Sequence, residues 1–204
     1  IATKGRNCAI LSGKENENII RSGFVGIIGA PNAGKSTLLK IVNADIEPDE
    51  GEIIQQPGLK VRRLRQNVPT DIQQSIEELV MKGLENPHDD WETHQAVDKA
   101  VSLVSLENHF KFNELSGGQK RRLGLAMELV TGPRLLLCDE VTSGLDPRSE
   151  RDIVRLLHQL SRSNGRTVIS VTHSLAHLEL YDSILVLHEG RIVQRSREAR
   201  SKKP

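Results

Sequence analysis

The sequence predicts an α/β fold in which a mostly parallel β-sheet is interrupted by a helical subdomain. Short apolar segments typical of buried strands lie on both sides of the middle third of the chain. The middle third instead has apolar residues at helical spacing, and another helical pattern separates two of the later strand candidates. Because strands that alternate with helices usually pair in parallel, these observations favour a parallel sheet.

The first part of the chain has the pattern strand, loop, helix. An apolar run ends in Gly29, as a buried strand entering a turn does, and a helical segment follows. Pro48-Asp-Glu-Gly51 has the composition of a turn, after which we expect a small antiparallel hairpin. In order, the predicted elements are a strand at residues 24–28, a helix at 36–42, a hairpin through Ile53 and Ile54, and a strand at 60–65.

The rest of the chain is predicted to be helical first and then to alternate strands with a helix. Apolar spacing predicts helices at residues 71–84, 94–106 and 117–130. Strands are predicted at 134–138, 167–171 and 184–187, with a helix at 152–160 between the first two. The tail after Val193 is rich in Arg and Lys and has no apolar period, so we expect it to be frayed.

One domain spanning residues 1–204 is expected, because 204 residues with 37% hydrophobic content can build one globular core. Its core is predicted at residues 1–70 and 132–194, with the helical subdomain at about 71–131 and a basic tail at 195–204.

Composition argues against several classes of protein. The formal net charge is +1, from 28 basic and 27 acidic residues, so no global field favours a nucleic-acid partner. The basic run at residues 60–65 alternates, which is typical of a strand with one solvated face. All apolar stretches are far shorter than the about 20 residues that span a bilayer. Cys8 and Cys138 are far apart in the sequence, so we expect no disulfide framework and a reducing compartment. Cys138 lies in an apolar run and is expected to pack in the core.

Residues 29–37 match the phosphate-binding P-loop pattern of two glycines four residues apart followed by Lys and Ser. In such a loop backbone N–H groups and a helix N-terminus face the phosphates of a nucleotide. The lysine reaches the β- and γ-oxygens, and the serine hydroxyl ligates Mg²⁺. The predicted ATP-binding residues are Gly29, Asn32, Ala33, Gly34, Lys35, Ser36 and Thr37.

A second element with this chemistry is Leu135-Leu-Leu-Cys-Asp139-Glu140, an apolar strand that ends in two acids. In P-loop NTPases the two acids of such a pair have different roles. Asp139 is predicted to hold Mg²⁺, and Glu140 is predicted to polarise the water that attacks the γ-phosphate.

Together with these elements, four further motifs resemble the nucleotide-binding cassette of ABC ATPases, and the resemblance covers about residues 10–194. Leu115-Ser-Gly-Gly-Gln119 matches the signature of that family, and Ser143-Gly-Leu-Asp146 matches its D-loop. His173 stands at the switch histidine and Gln66 at the Q-loop glutamine. The resemblance implies that Glu140, His173 and Gln66 are catalytic, and that Mg²⁺ is held by Ser36, Gln66 and Asp139.

The resemblance also implies a second cassette as partner, identical or different, because two cassettes of this family close head to tail. The signature of one chain then completes the site at the P-loop of the other, with contacts from Ser116, Gly117, Gly118, Gln119 and Asp146. The residues themselves agree with this role. Ser116 precedes the third predicted helix, where a hydroxyl, free N–H groups and the helix dipole can face a phosphate. The serine can cap this helix as well.

The chain departs from the family pattern at three places. Val141 stands where proline usually follows the catalytic glutamate. The P-loop reads Ala-Pro-Asn-Ala, a variant similar to that of small GTPases, but the Asn-Lys-x-Asp and Asp-x-x-Gly elements of GTPases are missing from the sequence. Residues 1–23 contain no aromatic residue on which adenine could stack. Either the base is held loosely or a longer N-terminus is missing, and the abrupt start at Ile1 favours truncation.

Two functions remain open at this point. The first is the ATPase subunit or domain of a transporter, at the cytoplasmic face of a membrane and attached to a transmembrane partner. The alternative is a soluble, ribosome-associated ATPase resembling the ABC-F translation factors, to which the passage 48–66 is similar. ABC-F proteins usually carry two cassettes and have Asn-His in the D-loop, where this chain has Ser143 and Gly144. DNA-repair ATPases are excluded, since the roughly eighty residues between Lys35 and Ser116 leave no room for a coiled-coil arm.

Overall fold

A six-stranded sheet forms the centre of the computed structural model, which describes residues 23–64, 74–84, 87–88, 90–107, 110–163 and 165–197. The strands are β1 Gly23–Gly29, β2 Val61–Leu64, β3 Leu135–Asp139, β4 Thr167–Thr172, β5 Ser183–His188 and β6 Arg191–Arg197. Their order is β2-β3-β4-β1-β5-β6, and only the pairing of β5 with β6 is antiparallel among these strands. The predicted mostly parallel α/β fold is therefore confirmed.

Helices cover both faces of this sheet. They are α1 Lys35–Val42, α2 Ile76–Met81, α3 Trp91–Leu103, α4 Gly117–Leu129 and α5 Pro147–Arg162. The strand interiors explain the two layers, because successive residues of a strand point to opposite faces. Leu136 packs in the cluster that holds α5 and the helices α2 to α4, whereas Leu137 packs in the cluster that holds α1. Both leucines are fully buried.

The helices of the middle third begin at capping residues. The side chain of Ser75 accepts a hydrogen bond from the backbone N–H of Glu78, and α2 starts at the next residue, Ile76. Asp90 caps α3 in the same way, so this helix begins three residues before the predicted residue 94. Both helices are also shorter at their C-terminal ends than predicted, while the residues 71–73 of the first prediction lie outside the described part of the chain.

The hairpin predicted through Ile53 and Ile54 was wrong. Residues 52–56 contain no strand, and the side chains of Ile53 and Ile54 are 37% and 48% exposed. A two-stranded hairpin needs an apolar surface beneath it to be stable, and these side chains face solvent instead. The strand predicted after it does form, as β2, but it pairs in parallel with β3.

The prediction of a frayed tail after Val193 was wrong for residues 194–197, which belong to β6; the rest of the tail, 198–204, lies outside the described residues. This edge strand pairs with β5 through the backbone, so it needs no apolar period of its own. Glu189 and Gly190 connect the two strands with φ of 47° and 74°. Positive φ at both positions is what a tight hairpin of the type I′ class requires.

Candidate nucleotide-binding site

The sheet brings three motifs to one edge. The P-loop follows β1, Asp139 ends β3, and His173 follows β4. Since β3, β4 and β1 are neighbours and parallel, their carboxyl ends lie side by side. In open α/β sheets ligands bind outside this edge. The predicted nucleotide site therefore combines the P-loop with two segments that lie more than a hundred residues further along the chain.

The P-loop has a backbone that its sequence permits. Asn32 and Gly34 have φ of 63° and 88°, a region in which glycine is free of strain and asparagine is tolerated. Ala33 is buried, and its carbonyl accepts a hydrogen bond from the N–H of Gly190 at 3.1 Å. The turn between β5 and β6 thus supports the loop from behind.

Gly29 is required for a different reason, the close approach of β5. A Cβ atom at Gly29 would lie 2.3 Å from the carbonyl oxygen of Leu187. We expect Gly29→Ala to lower the free energy of unfolding by about 1–3 kcal/mol, because a backbone has to move to relieve the overlap. Denaturant unfolding measures this, with Gly117→Ala as the control, since a Cβ there meets only Leu145 at 3.7 Å. Equal stability of the two variants would contradict the prediction.

The ammonium group of Lys35 lies inside the loop that precedes it. Its Nζ donates hydrogen bonds to the carbonyl oxygens of Gly29 at 2.9 Å and of Ala30 at 2.7 Å. The Nδ1 atom of His173 lies 3.4 Å from the same Nζ. Lys35 is only 4% exposed, so its charge is held at the floor of the loop rather than in solvent.

Ser36, at the second position of α1, contacts the acidic end of β3. Its Oγ donates a hydrogen bond of 3.1 Å to Oδ1 of Asp139. The other carboxylate oxygen, Oδ2, accepts a hydrogen bond of 2.8 Å from Nη2 of Arg63. A hydroxyl and a buried carboxylate thus stand together beside the P-loop.

Glu140 and His173 form the second pair at this edge. The Oε1 atom of Glu140 contacts Nε2 of His173, and Nδ1 of this histidine lies 3.3 Å from the carbonyl oxygen of Gly29. Glu140 has φ of 50°, which is uncommon for a residue with a long side chain. Such backbone strain is concentrated at functional sites, where the surrounding structure holds the residue in place. Val141, the departure from the family pattern, is buried in the core next to it.

The signature residues cap α4. The Oγ atom of Ser116 accepts a hydrogen bond of 3.3 Å from the N–H of Gln119, whose side chain accepts one of 2.9 Å from the N–H of Ser116. A Cβ at Gly118 would lie 3.1 Å from Oγ of Ser149 in α5, so this glycine permits close packing of the two helix starts. Ser116, Gly118 and Gln119 line a polar cleft with Ser149 of α5. The cleft lined by Glu140 and His173 is a different one.

Asp146 of the D-loop caps α5. Its Oδ1 accepts hydrogen bonds of 3.0 Å from the N–H groups of Arg148 and Ser149, and Pro147 occupies the first helical position. These contacts start α5 five residues before the predicted residue 152. Hydrogen bonds from the side chain and the backbone of Ser149 lower the pKa of the Asp146 carboxyl group. Asp146 is therefore a helix cap within this chain.

Gln66 was predicted to be a site residue, whereas Arg63 was not. Gln66 lies outside the described residues, so its predicted role stays a prediction. Arg63 was missed as a site residue, because the basic run 60–65 was interpreted only as a strand with a solvated face. The signal was the adjacency of this strand to the one that ends in Asp139, which tertiary pairing alone establishes.

Comparisons with known proteins agree with this architecture. Residues 16–143, more than half of the chain, match the family model described as ABC transporter. The chain is 33% identical over 201 residues to the methionine import ATP-binding protein MetN of Corynebacterium jeikeium, covering 88% of this chain and 54% of that protein. It is 32% identical over 187 residues to the energy-coupling factor transporter ATP-binding protein EcfA1 of Mycoplasmopsis synoviae, covering 83% of this chain and 70% of that protein.

Solved structures give the same result. The chain resembles cbiO1 from Clostridium perfringens, part of the ABC transporter complex cbiONQ, with a TM-score of 0.76 and 27% identity over 86% of this chain and 77% of that one. It also resembles the ATP-binding cassette MJ0796 in a dimer bound to ADP and Pi, with a TM-score of 0.70 and 27% identity, over 89% and 88% of the two chains.

The fold and the site define a P-loop ATP-binding protein built on a parallel sheet. The chain belongs to the ABC transporter family. It spans about half of the length of the methionine import proteins that it matches. Among the described residues no helix is both long and apolar enough to cross a membrane.

Proposed function

We propose that this chain is the ATP-binding and ATP-hydrolysing cassette of a transporter, working at the cytoplasmic side of a membrane with a transmembrane partner. One observation carries the proposal: Ser36 with Asp139, and Glu140 with His173, lie at the same sheet edge as the P-loop. The relatives are named as ATP-binding proteins of transporters, which favours this function over an ABC-F-like translation factor.

The proposed cassette is one domain. Its core comprises residues 1–70 and 132–194, with the helical subdomain at about 71–131. Packing of α2, α3 and α4 on one another supports the insertion, because their buried side chains share one cluster. The residues 195–197 of the predicted basic tail are assigned to the core here, since they belong to β6.

Nucleotide binding is assigned to the P-loop residues Gly29, Asn32, Ala33, Gly34, Lys35, Ser36 and Thr37. The left-handed backbone at Asn32 and Gly34 supports a loop whose N–H groups face one ligand. The charge of Lys35, held at the loop floor, adds a fixed attraction for phosphate oxygens. ATP is the expected nucleotide for this family.

A magnesium ion fits beside Ser36 and Asp139. Mg²⁺ prefers oxygen ligands, and the hydroxyl of Ser36 lies 3.1 Å from a carboxylate oxygen of Asp139. These two residues, with Gln66 as a further predicted ligand, would hold the ion. When bound there, Mg²⁺ would neutralise negative charge on the phosphates of the nucleotide.

Glu140 is assigned as the base of the hydrolysis. Its carboxylate accepts a proton from the attacking water, whose oxygen bonds to the γ-phosphorus as the bond to ADP breaks. His173 contacts this carboxylate and the P-loop carbonyl of Gly29, so it can orient the base relative to the nucleotide. Gln66 completes the predicted catalytic set.

A second cassette, identical or different, is proposed to supply its signature and D-loop to this site. Ser116, Gly117, Gly118, Gln119 and Asp146 are the residues assigned to the partner's nucleotide. Two observations support this assignment. The cleft that Ser116 lines shares no residue with the cleft that Glu140 and His173 line. The N-terminus of α4 also presents the hydroxyl of Ser116 and a helix dipole at an exposed position.

Mixing two inactive variants tests this arrangement. Lys35→Ala damages the P-loop side and Ser116→Arg the signature side, so each homodimer has two damaged composite sites. Random pairing of equal amounts makes half of the dimers mixed, and each mixed dimer has one intact site. We expect ATPase activity to recover to at most about a quarter of the wild-type value per chain, from the same pairing statistics.

The matched control is Ser102→Arg, the same substitution at an exposed serine of α3. This variant is expected to be active alone, since Ser102 does not line the cleft that Ser116 lines. Absence of recovery, when cross-linking shows that Lys35→Ala and Ser116→Arg form mixed dimers, would refute the head-to-tail assignment of Ser116.

A further inference from the structure

Arg63 contacts both Asp139, the proposed magnesium ligand, and a second acid, Asp45. Its Nη2 donates a hydrogen bond of 2.8 Å to Oδ2 of Asp139, and its Nη1 donates one of 3.2 Å to Oδ2 of Asp45. Arg63 belongs to β2 and Asp139 to the neighbouring strand β3, so the rigid sheet sets the position of the guanidinium. Asp45 lies in the turn that follows α1, where Asn43 donates a hydrogen bond of 2.8 Å to its other oxygen.

The ion pair of Arg63 and Asp139 is largely removed from solvent. The side chain of Arg63 is 18% exposed and that of Asp139 is 7% exposed. The Nε atom of Arg63 is buried and has no hydrogen-bond partner among the described residues. Water therefore screens this pair much less than a surface pair, and the charge of the guanidinium acts strongly on its neighbours.

The two oxygens of Asp139 have different partners. Oδ1 faces Ser36, where the proposed magnesium ion would be held, while Oδ2 is bound by Arg63. Arg63 consequently has two opposite effects on the affinity of Asp139 for a metal ion. It orients the carboxylate, which favours metal binding, and it offsets the carboxylate charge, which disfavours it.

Charge is the larger of these effects. Orienting one short side chain changes an equilibrium by a few-fold at most. An opposite charge within hydrogen-bond distance of a carboxylate weakens the binding of another cation to that carboxylate by about tenfold or more. The same offset reduces the repulsion between Asp139 and the phosphates of a nucleotide that carries no metal ion.

We infer that Arg63 is a positioning residue that lowers the dependence of nucleotide binding on a divalent cation. The inference rests on the proposed function, because it assumes that Ser36 and Asp139 hold Mg²⁺. With Arg63 in place, metal-free nucleotide binds more tightly and the metal ion adds less to affinity. The site thereby tolerates nucleotide without Mg²⁺ better than the same P-loop would with a neutral residue at position 63.

The test is an equilibrium measurement that needs no turnover. The dissociation constant of the non-hydrolysable analogue β,γ-imido-ATP is measured in EDTA and in saturating Mg²⁺ at constant ionic strength, and the first is divided by the second. We expect Arg63→Met to raise this ratio about tenfold. Arg63→Lys keeps the charge and should change the ratio by less than about threefold, since only the fork geometry is lost.

Arg62→Met is the matched control. Arg62 is the adjacent residue of β2 and points to the opposite face, where its Nε donates a hydrogen bond of 3.2 Å to Oγ1 of Thr131. The substitution removes the same charge from the same strand, and we expect the ratio to stay at the wild-type value. A ratio that rises equally in both variants would refute the inference, because the cause would then be net charge.

Asp45→Asn provides a second arm that leaves Arg63 in place. It removes the other acid that shares the guanidinium, so the positive charge beside Asp139 is less compensated and the ratio should fall. This variant decides the question if Arg63→Met does not fold, and an unchanged or higher ratio in Asp45→Asn would overturn the inference.

If nucleotide binding by the wild type depends on Mg²⁺ and the ratio in Arg63→Met and Asp45→Asn is the same as in the wild type, the inference fails and the proposed function stands. If metal adds nothing to affinity in wild type or any variant, the magnesium assignment and the inference fail together.

Discussion

Glu140→Gln is expected to lower the rate of ATP hydrolysis by about two orders of magnitude or more, while ATP stays bound. General-base catalysis contributes about 10²–10⁴ to a rate, and the amide cannot accept the proton of the attacking water. Glutamine has nearly the same shape, and its amide oxygen can keep the contact with His173. Because binding and hydrolysis are assigned to different residues, only the rate should change.

Single-turnover release of phosphate and equilibrium binding of ATP measure the two quantities separately. Glu179→Gln is the matched control, since Glu179 is 68% exposed on the surface turn after β4 and should leave the rate unchanged. A wild-type rate in folded Glu140→Gln would remove Glu140 from the mechanism. A loss of ATP affinity equal to the loss of rate would instead make it a binding residue.

Lys35→Ala is expected to weaken ATP binding by about tenfold to a hundredfold or more. A hydrogen bond to a charged group is worth about 1.5–3 kcal/mol, and tenfold in affinity corresponds to about 1.4 kcal/mol. The carbonyl oxygens of Gly29 and Ala30 already hold the Nζ atom of Lys35 at the loop floor. Binding of ATP therefore costs little conformational entropy in this side chain, and its contribution to affinity is not reduced by that cost.

Calorimetric titration with ATP checks this prediction, and Lys40→Ala serves as the control. Lys40 is exposed in the last turn of the same helix, α1. Its replacement by alanine removes an equal charge at a position away from the P-loop. Unchanged affinity in Lys35→Ala would reject the P-loop assignment. An equal loss in both variants would show that net charge, rather than the position of Lys35, sets the affinity.

Local sequence patterns were sufficient for most elements because each pattern reports a local cause. The apolar run before Gly29 and the run before Asp139 are buried strands, as predicted, since their side chains fill both faces of the sheet. The prediction of the signature helix from residue 117 also succeeded, because Ser116 is a capping residue and capping depends on a few neighbours only. The start of α5 could have been found in the same way from Asp146 and Pro147.

The failures involve segments whose structure depends on distant partners. β6 has a polar sequence and is held by backbone hydrogen bonds to β5, which no side-chain period reveals. Ile53 and Ile54 have strand propensity, but both are exposed and lie in a segment that forms no strand. Propensity is overridden in both cases by what lies next to the segment in space.

The sequence by itself determined the α/β class, the P-loop, the two acids at the end of β3 and the family to which the chain belongs. These features are encoded in contiguous residues, whose backbone and side-chain chemistry is local. Only the tertiary structure decided that Arg63 binds Asp139, that His173 contacts Glu140, and that the β5–β6 turn supports the P-loop. Such contacts depend on the order β2-β3-β4-β1-β5-β6, and strand order is set by packing between segments far apart in the chain.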